Sequence, residues 1–71
     1  MQEEKVKNRV EELRKKLGWT QEELADKAKV GQSTVSEIEN EVGLPYIDTA
    51  LYISRALNET IDKVFYLEED E

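Results

Sequence analysis

Apolar side chains recur along this chain at three- and four-residue intervals, the period of helices rather than of strands. Val6, Val10, Leu13 and Leu17 form a first stripe, which predicts a helix ending at Gly18. Thr20 then stands three residues before Glu23. In that arrangement each side chain accepts a hydrogen bond from the other residue's backbone, and a helix start is pinned. Trp19 just before this cap and Leu24 just inside the helix have the spacing of a hydrophobic staple, so Trp19 reads as a packing residue. The second helix buries Leu24, Ala25 and Ala28, and its small alanines let a neighbour approach closely. Val30 plugs the turn that follows. Gly31 is free to take a backbone conformation that other residues resist.

A third helix is predicted from about Gln32 to Glu39, with Val35 and Ile38 inward. Gly43 and Pro45 punctuate a loop. A fourth helix turns Ile47, Ala50, Leu51, Ile53, Ser54 and Leu57 to the core and ends at Asn58, which tolerates a left-handed cap. Thr60 caps a short fifth helix holding Ile61, Val64 and Phe65. No stretch alternates long enough for a sheet strand. The expectation is all-α: five helices in one bundle, a single domain over residues 1–67, and a solvated, frayed acidic tail over 68–71.

Composition narrows the chemistry. Seventy-one residues make one domain, and a chain this short buries only about 60% of its unfolded surface. With no cysteine and no histidine, neither a disulfide nor a Cys/His metal site is expected, and no cofactor is implied. An enzyme is disfavoured because nucleophile and proton-transfer groups of those kinds are missing and the carboxylates fall at exposed helical positions beside lysines. A bundle this small also leaves no room for a substrate cavity of about 300 Å³, so no small-molecule substrate is expected. No apolar run approaches the roughly 18 residues of a membrane span, and the amino terminus is not a secretory signal. The expected location is cytoplasmic, with no membrane partner.

The net charge is −7, from ten bases and seventeen acids. It is unevenly spread: residues 1–29 hold eight bases and seven acids, whereas 30–71 hold two bases and ten acids. Any phosphate-facing surface must draw its cations from the first half.

Against this background, the stretch from Thr20 to Asn40 is informative. Two short helices broken at Lys29-Val30-Gly31 have the spacing of a helix-turn-helix, in which one helix crosses a duplex backbone while the next enters the major groove. An ordinary αα-hairpin has the same spacing.

The residues go further. From Val6 to Phe65, with "LRKKLGWTQEELADKAKVGQSTVSEIEN", a following proline, "TALYISRALN" and "TIDKVF", the chain resembles the lambda-repressor-like, Cro/C1-type (XRE) helix-turn-helix family. The resemblance implies a sequence-specific regulator of transcription, a repressor, bound to double-stranded operator DNA as a twofold homodimer with half-sites about 34 Å apart. It implies base readout by Gln32 and Ser33, whose amide and hydroxyl suit base edges. Gln21 and Asn40 match phosphate contacts, and Thr34 would face a thymine methyl or the backbone. Arg14 and Glu39 match the family's interior ion pair.

Two departures from the family pattern stand out. Glu37 either accepts from a cytosine N4 amine or is a solvated charge that avoids the groove. The loop Asn40-Glu41-Val42-Gly43-Leu44-Pro45 lacks the family's basic phosphate contacts, leaving as candidates the Tyr46 hydroxyl, Lys27, Lys29 and the cations of the first helix, most of which are expected to face solvent or pair with Glu11 and Glu12. Tyr46 could equally pack on the loop. Phe65, Tyr66 and Leu67 form an apolar cluster suited to a dimer interface, as a strand paired with its symmetry mate or as a packed helix end. Tyr52 is a second candidate for that interface, with ordinary surface packing the alternative for each tyrosine. The rival function is an acidic protein-interaction or antitoxin-type module on the same fold.

Overall fold

The computed structural model describes residues 5–68. In chain order these form β1 (Lys5–Asn8), α1 (Val10–Lys16), α2 (Gln21–Ala28), α3 (Gln32–Glu39), α4 (Ile47–Ala56), α5 (Ile61–Val64) and β2 (Phe65–Glu68). Each helix sends one residue to full burial: Val10, Leu24, Val35, Ile53 and Val64 are all 0% exposed. Burying side chains of this kind is worth about 1.5–3 kcal/mol each. Ala25 and Ala28 are also enclosed, so α2 can lie close to both α3 and α4. Leu13, Trp19, Val30, Ala56 and Phe65 seal the margins.

The ends of the described chain are not helical. Val6, expected on the first helix stripe, lies on β1 opposite Leu67, in an antiparallel pair running from Lys5 opposite Glu68 to Asn8 opposite Phe65. The reason is local and then tertiary. Asn8 Oδ1 accepts from the Val10 N–H at 3.0 Å, which starts the helix there, and the Arg9 N–H donates to the Val64 carbonyl at 2.8 Å. Upstream of this point the backbone satisfies its polar groups on β2. Phe65, expected in the fifth helix, opens β2 instead, and this strand pairs with the chain's own β1. Glu68, assigned to the acidic tail by its charge run, is the last residue of β2; the rest of that run lies outside the described residues.

Three further expectations are corrected. On α4 the buried stripe is Ala50, Ile53, Ser54 and Leu57, while Ile47 and Leu51 are 73% and 50% exposed. Leu51 is turned about 100° from Ala50 by the helix itself. Leu17, expected on the inner stripe of the first helix, falls at its end and is largely exposed. Thr60 precedes α5 without a side-chain capping bond.

The helix ends are built alike. In α1, α2, α3 and α4 a residue with φ near +60° to +80° follows the last turn: Gly18, Lys29, Glu41 and Asn58. Around each, one N–H reaches back to a carbonyl three residues earlier and the next N–H to one five residues earlier. Thus Lys29 N–H bonds Asp26 O at 3.3 Å and Val30 N–H bonds Ala25 O at 3.0 Å. This is the Schellman closure, which satisfies carbonyls the helix leaves open. The left-handed residue of the turn between α2 and α3 is therefore Lys29. Gly31, expected to need special freedom, has φ −74° and serves as the N-cap of α3.

One ion pair orients α3. Arg14 donates from Nε to Glu39 Oε2 at 2.7 Å, from Nη2 to Glu39 Oε1 at 3.0 Å, and from Nη1 to the Trp19 carbonyl at 2.8 Å. Gln21 adds a bond from Nε2 to Glu39 Oε1 at 3.0 Å. The two side chains are only 10% and 4% exposed. Burial pushes the Glu39 carboxyl up, but the hydrogen bonds from Arg14 and Gln21 and the Arg14 charge outweigh it. The net effect holds Glu39 below its ordinary value.

Three outcomes follow from the ion pair and the helix closures. Because Glu39 is depressed in the folded state, its stabilisation is complete above the unfolded value of 4.5 and is lost as pH falls through the lower folded value. In acid titrations followed by circular dichroism, Glu39→Gln should therefore flatten that limb of the stability curve. Glu39→Ala, which strands a buried guanidinium, should cost about 3–5 kcal/mol in denaturant titrations. Lys29→Gly removes a left-handed strain of about 1–2 kcal/mol at some cost in unfolded-chain entropy. It is expected to raise the midpoint of a thermal melt by about 2–8 °C.

Candidate nucleic-acid interface

The α2–turn–α3 unit presents the first turn of α3 to solvent. Gln32 and Ser33 are exposed and Thr34 is half-buried. Among the described residues, the Gln32 and Ser33 side chains take no hydrogen bond within the chain, so their amide and hydroxyl are unspent. Gly31 precedes them without any capping side chain, and while the Thr34 N–H bonds the Gly31 carbonyl at 3.1 Å, a helix start leaves its first backbone N–H groups without an intrahelical partner. A Cβ at Gly31 would meet only Thr34 Oγ1 at 3.6 Å and Ser33 Oγ at 3.8 Å, both ordinary contacts. Gly31 is thus not sterically required; it keeps the approach to these amides open.

The other candidates differ in how far they are already engaged. Gln21, at the start of α2, gives one amide N–H to Glu39 and retains a second. The Asn40 amide turns back onto α3, donating to the Ser36 carbonyl at 3.0 Å. Tyr46 stands at the N-cap of α4, 82% exposed, with its hydroxyl in solvent. Lys29 is exposed in the turn, and Lys27 lies over the Trp19 ring at 4.8 Å. Glu37 is exposed on α3 and borders a recess between that helix and the following loop.

Of the residues assigned to an interface between copies, Phe65 packs on the core, and Tyr66 lies beneath the Arg9 guanidinium at 4.2 Å. Leu67 remains 54% exposed opposite Val6. Tyr52 is 43% exposed, with Arg55 at 5.8 Å from its ring.

Two residues that sequence reasoning missed shape the loop after α3. Asn8 Nδ2 donates to the Ile38 carbonyl at 2.9 Å, binding β1 to the end of α3. Lys7 Nζ lies 3.3 Å from Glu41 and 3.5 Å from Glu68, and the bond to Glu41, then the two carboxylate charges, raise its pKa. The only sequence signal for Asn8 was an asparagine just ahead of the helix, a residue type whose side chain bonds the backbone N–H two residues on. Lys7 gave none, because its partners are far along the chain. The loop itself carries Val42 at 63% and Leu44 at 73% exposure, an apolar surface where cations would attract phosphate.

The arrangement is a protruding helix start with amide and hydroxyl side chains, stiffened by a buried ion pair behind it. Comparison with known proteins gives it a lineage. A family profile described as helix-turn-helix matches residues 10–64. An uncharacterized HTH-type transcriptional regulator of Bacillus subtilis, YgzD, is 38% identical over 65 residues, covering 92% of this chain and 98% of its own length. A competence pilus inhibition repressor of Acinetobacter baylyi is 37% identical over 82% of this chain and 53% of its own length. Among solved structures, the master regulator for biofilm formation SinR in complex with DNA superposes with a TM-score of 0.70 at 33% identity, covering 75% of this chain and 86% of that one. No helix among the described residues is long and apolar enough to cross a membrane. The chain belongs to the Cro/C1-type (XRE) helix-turn-helix family of transcriptional regulators.

Proposed function

We propose that this regulator binds a specific double-stranded DNA operator as a twofold homodimer in the cytoplasm and acts as a repressor. The observation that carries the reading is the first turn of α3, where the Gln32 amide and Ser33 hydroxyl stand outward with no partner among the described residues. A glutamine amide bonds adenine at N6 and N7 together, and a serine hydroxyl donates or accepts. SinR, a relative of similar fold, is found in complex with DNA, and the Acinetobacter relative is a repressor. Gln21, Thr34, Asn40 and Tyr46 supply neutral backbone contacts, and Lys27 and Lys29 the cations. The twofold partner would cover the exposed apolar residues Ile47, Leu51 and Tyr52 of α4 and Leu67 of β2.

The rival reading, a protein-interaction or antitoxin-type module, draws its support from the loop over residues 41–45, which has one acid, no base and two exposed aliphatic side chains. Selection from random duplex pools separates the two: the regulator enriches one palindromic sequence, and the interaction module enriches none. Gln32→Ala is expected to weaken the selected site about tenfold or more, at the lower part of the range for a good bidentate base contact. An unchanged preference would defeat the base-reading role of Gln32. With two lysines per protomer at the backbone, four in the dimer, log affinity should fall against log salt with a slope of only about −3.6. Sedimentation equilibrium should find a dimer that Leu51→Glu converts to monomer.

A further inference from the structure

The recess beside Glu37 is not explained by readout through Gln32 and Ser33. It measures about 160 Å³ and lies between α3, with Thr34 and Glu37, and the loop, with Val42, Leu44 and Tyr46. That is below the roughly 300 Å³ of a small-molecule site but ample for a methyl group. No basic residue lines it, and among the described residues Glu37 takes part in no ion pair. An unpaired carboxylate therefore sits at the lip of a depression that is polar at Thr34 and Thr49 and apolar on its loop side, at Val42, Leu44 and Pro45.

A carboxylate only accepts hydrogen bonds. On the major-groove edge, guanine, adenine and thymine each present at least one acceptor that repels it, whereas cytosine presents only its N4 amine. The C5 position of cytosine lies beside N4, on the side of that strand's own sugar-phosphate backbone. In the docking proposed above, with α3 in the groove, the loop after α3 would lie on the backbone side of Glu37. We propose that Glu37 and this recess together form a subsite for 5-methylcytosine, the carboxylate accepting from N4 while the C5 methyl enters the depression lined by Val42, Leu44 and Tyr46. Thymine carries the methyl but offers an acceptor at position 4, and unmodified cytosine offers the amine without the methyl. Only the methylated base satisfies both halves of the site.

The inference rests on the DNA-binding reading above, and the test keeps the two apart. Wild-type protein is first used to select an operator from random duplex DNA, and Glu37→Gln is selected in parallel. The subsite corresponds to a position where wild type prefers cytosine and Glu37→Gln does not, since a glutamine amide can donate to thymine O4. Anisotropy titrations then compare cytosine, 5-methylcytosine and thymine at that position. The methylated operator is expected to bind about fourfold tighter than the unmethylated one, the gain from burying one methyl group. Thymine is expected to bind about tenfold weaker than cytosine, within the range for one base contact. Val42→Ser should bring the ratio of methylated to unmethylated affinity toward one. Both positions are exposed, so a circular dichroism spectrum matching wild type is expected of each variant. An enriched operator without any Glu37-dependent cytosine overturns the subsite and leaves the regulator standing, as does a methylated operator that binds no tighter. A wild-type protein that enriches no sequence overturns the regulator reading and the subsite with it.

Discussion

The Arg14–Glu39 pair is the contact on which the rest of the arrangement turns. A guanidinium is planar and offers several donors in a fixed fork. Here two of them hold one carboxylate and a third takes the Trp19 carbonyl, so α1, the approach to α2 and the last turn of α3 are set by a single side chain. Gln21 joins the same carboxylate and brings the start of α2 into register with the end of α3. Such a buried pair adds little net stability relative to an apolar contact, but loss of either member leaves an uncompensated charge in the interior. Its contribution is therefore to geometry: it makes the projection of α3 from the bundle a rigid property.

The helix closures share in that rigidity. Four helices end on left-handed residues, and two of these, Lys29 and Glu41, are types for which that conformation is strained. Both flank α3, one before it and one after. At Glu41 the strain is accompanied by a salt bridge from Lys7, which also holds Glu68. The paired terminal strands are thus joined to the loop beside the candidate interface, and Asn8 joins them to the last turn of α3 itself. The ribbon made by the chain ends is part of the support for the candidate interface.

The chemistry of that interface departs from a simple cationic patch. The molecule carries −7, its loop after α3 is apolar and acidic, and the Lys7 ammonium is already engaged by two carboxylates. Under the proposed function, sequence discrimination comes from amide, hydroxyl and carboxylate groups, while only a small electrostatic term supplies sequence-independent affinity. A protein built this way gains selectivity at the expense of non-specific binding. The exposed Val42 and Leu44, costly in water, fit the same logic if they meet base methyl groups.

Much of the bundle was legible in the residues themselves. The Thr20–Glu23 capping box, the Asn58 terminator and the apolar spacing in α2, α3 and the buried face of α4 act within a turn or two, and signals of that range survive in a single sequence. The family resemblance added the Arg14–Glu39 pair, which spacing could not have given. The folded structure, and not the residue pattern, decided that Val6 and Phe65 leave their helices for strands, that Ile47 and Leu51 face outward, that Lys29 rather than Gly31 takes the left-handed turn, and that Lys7 belongs to Glu41. Most of these depend on partners far away in the chain, as Val6 depends on Leu67 and Lys7 on Glu41. A helical period describes which residues share a face, but whether that face finds a neighbour, or its backbone a strand, is determined only when distant segments meet.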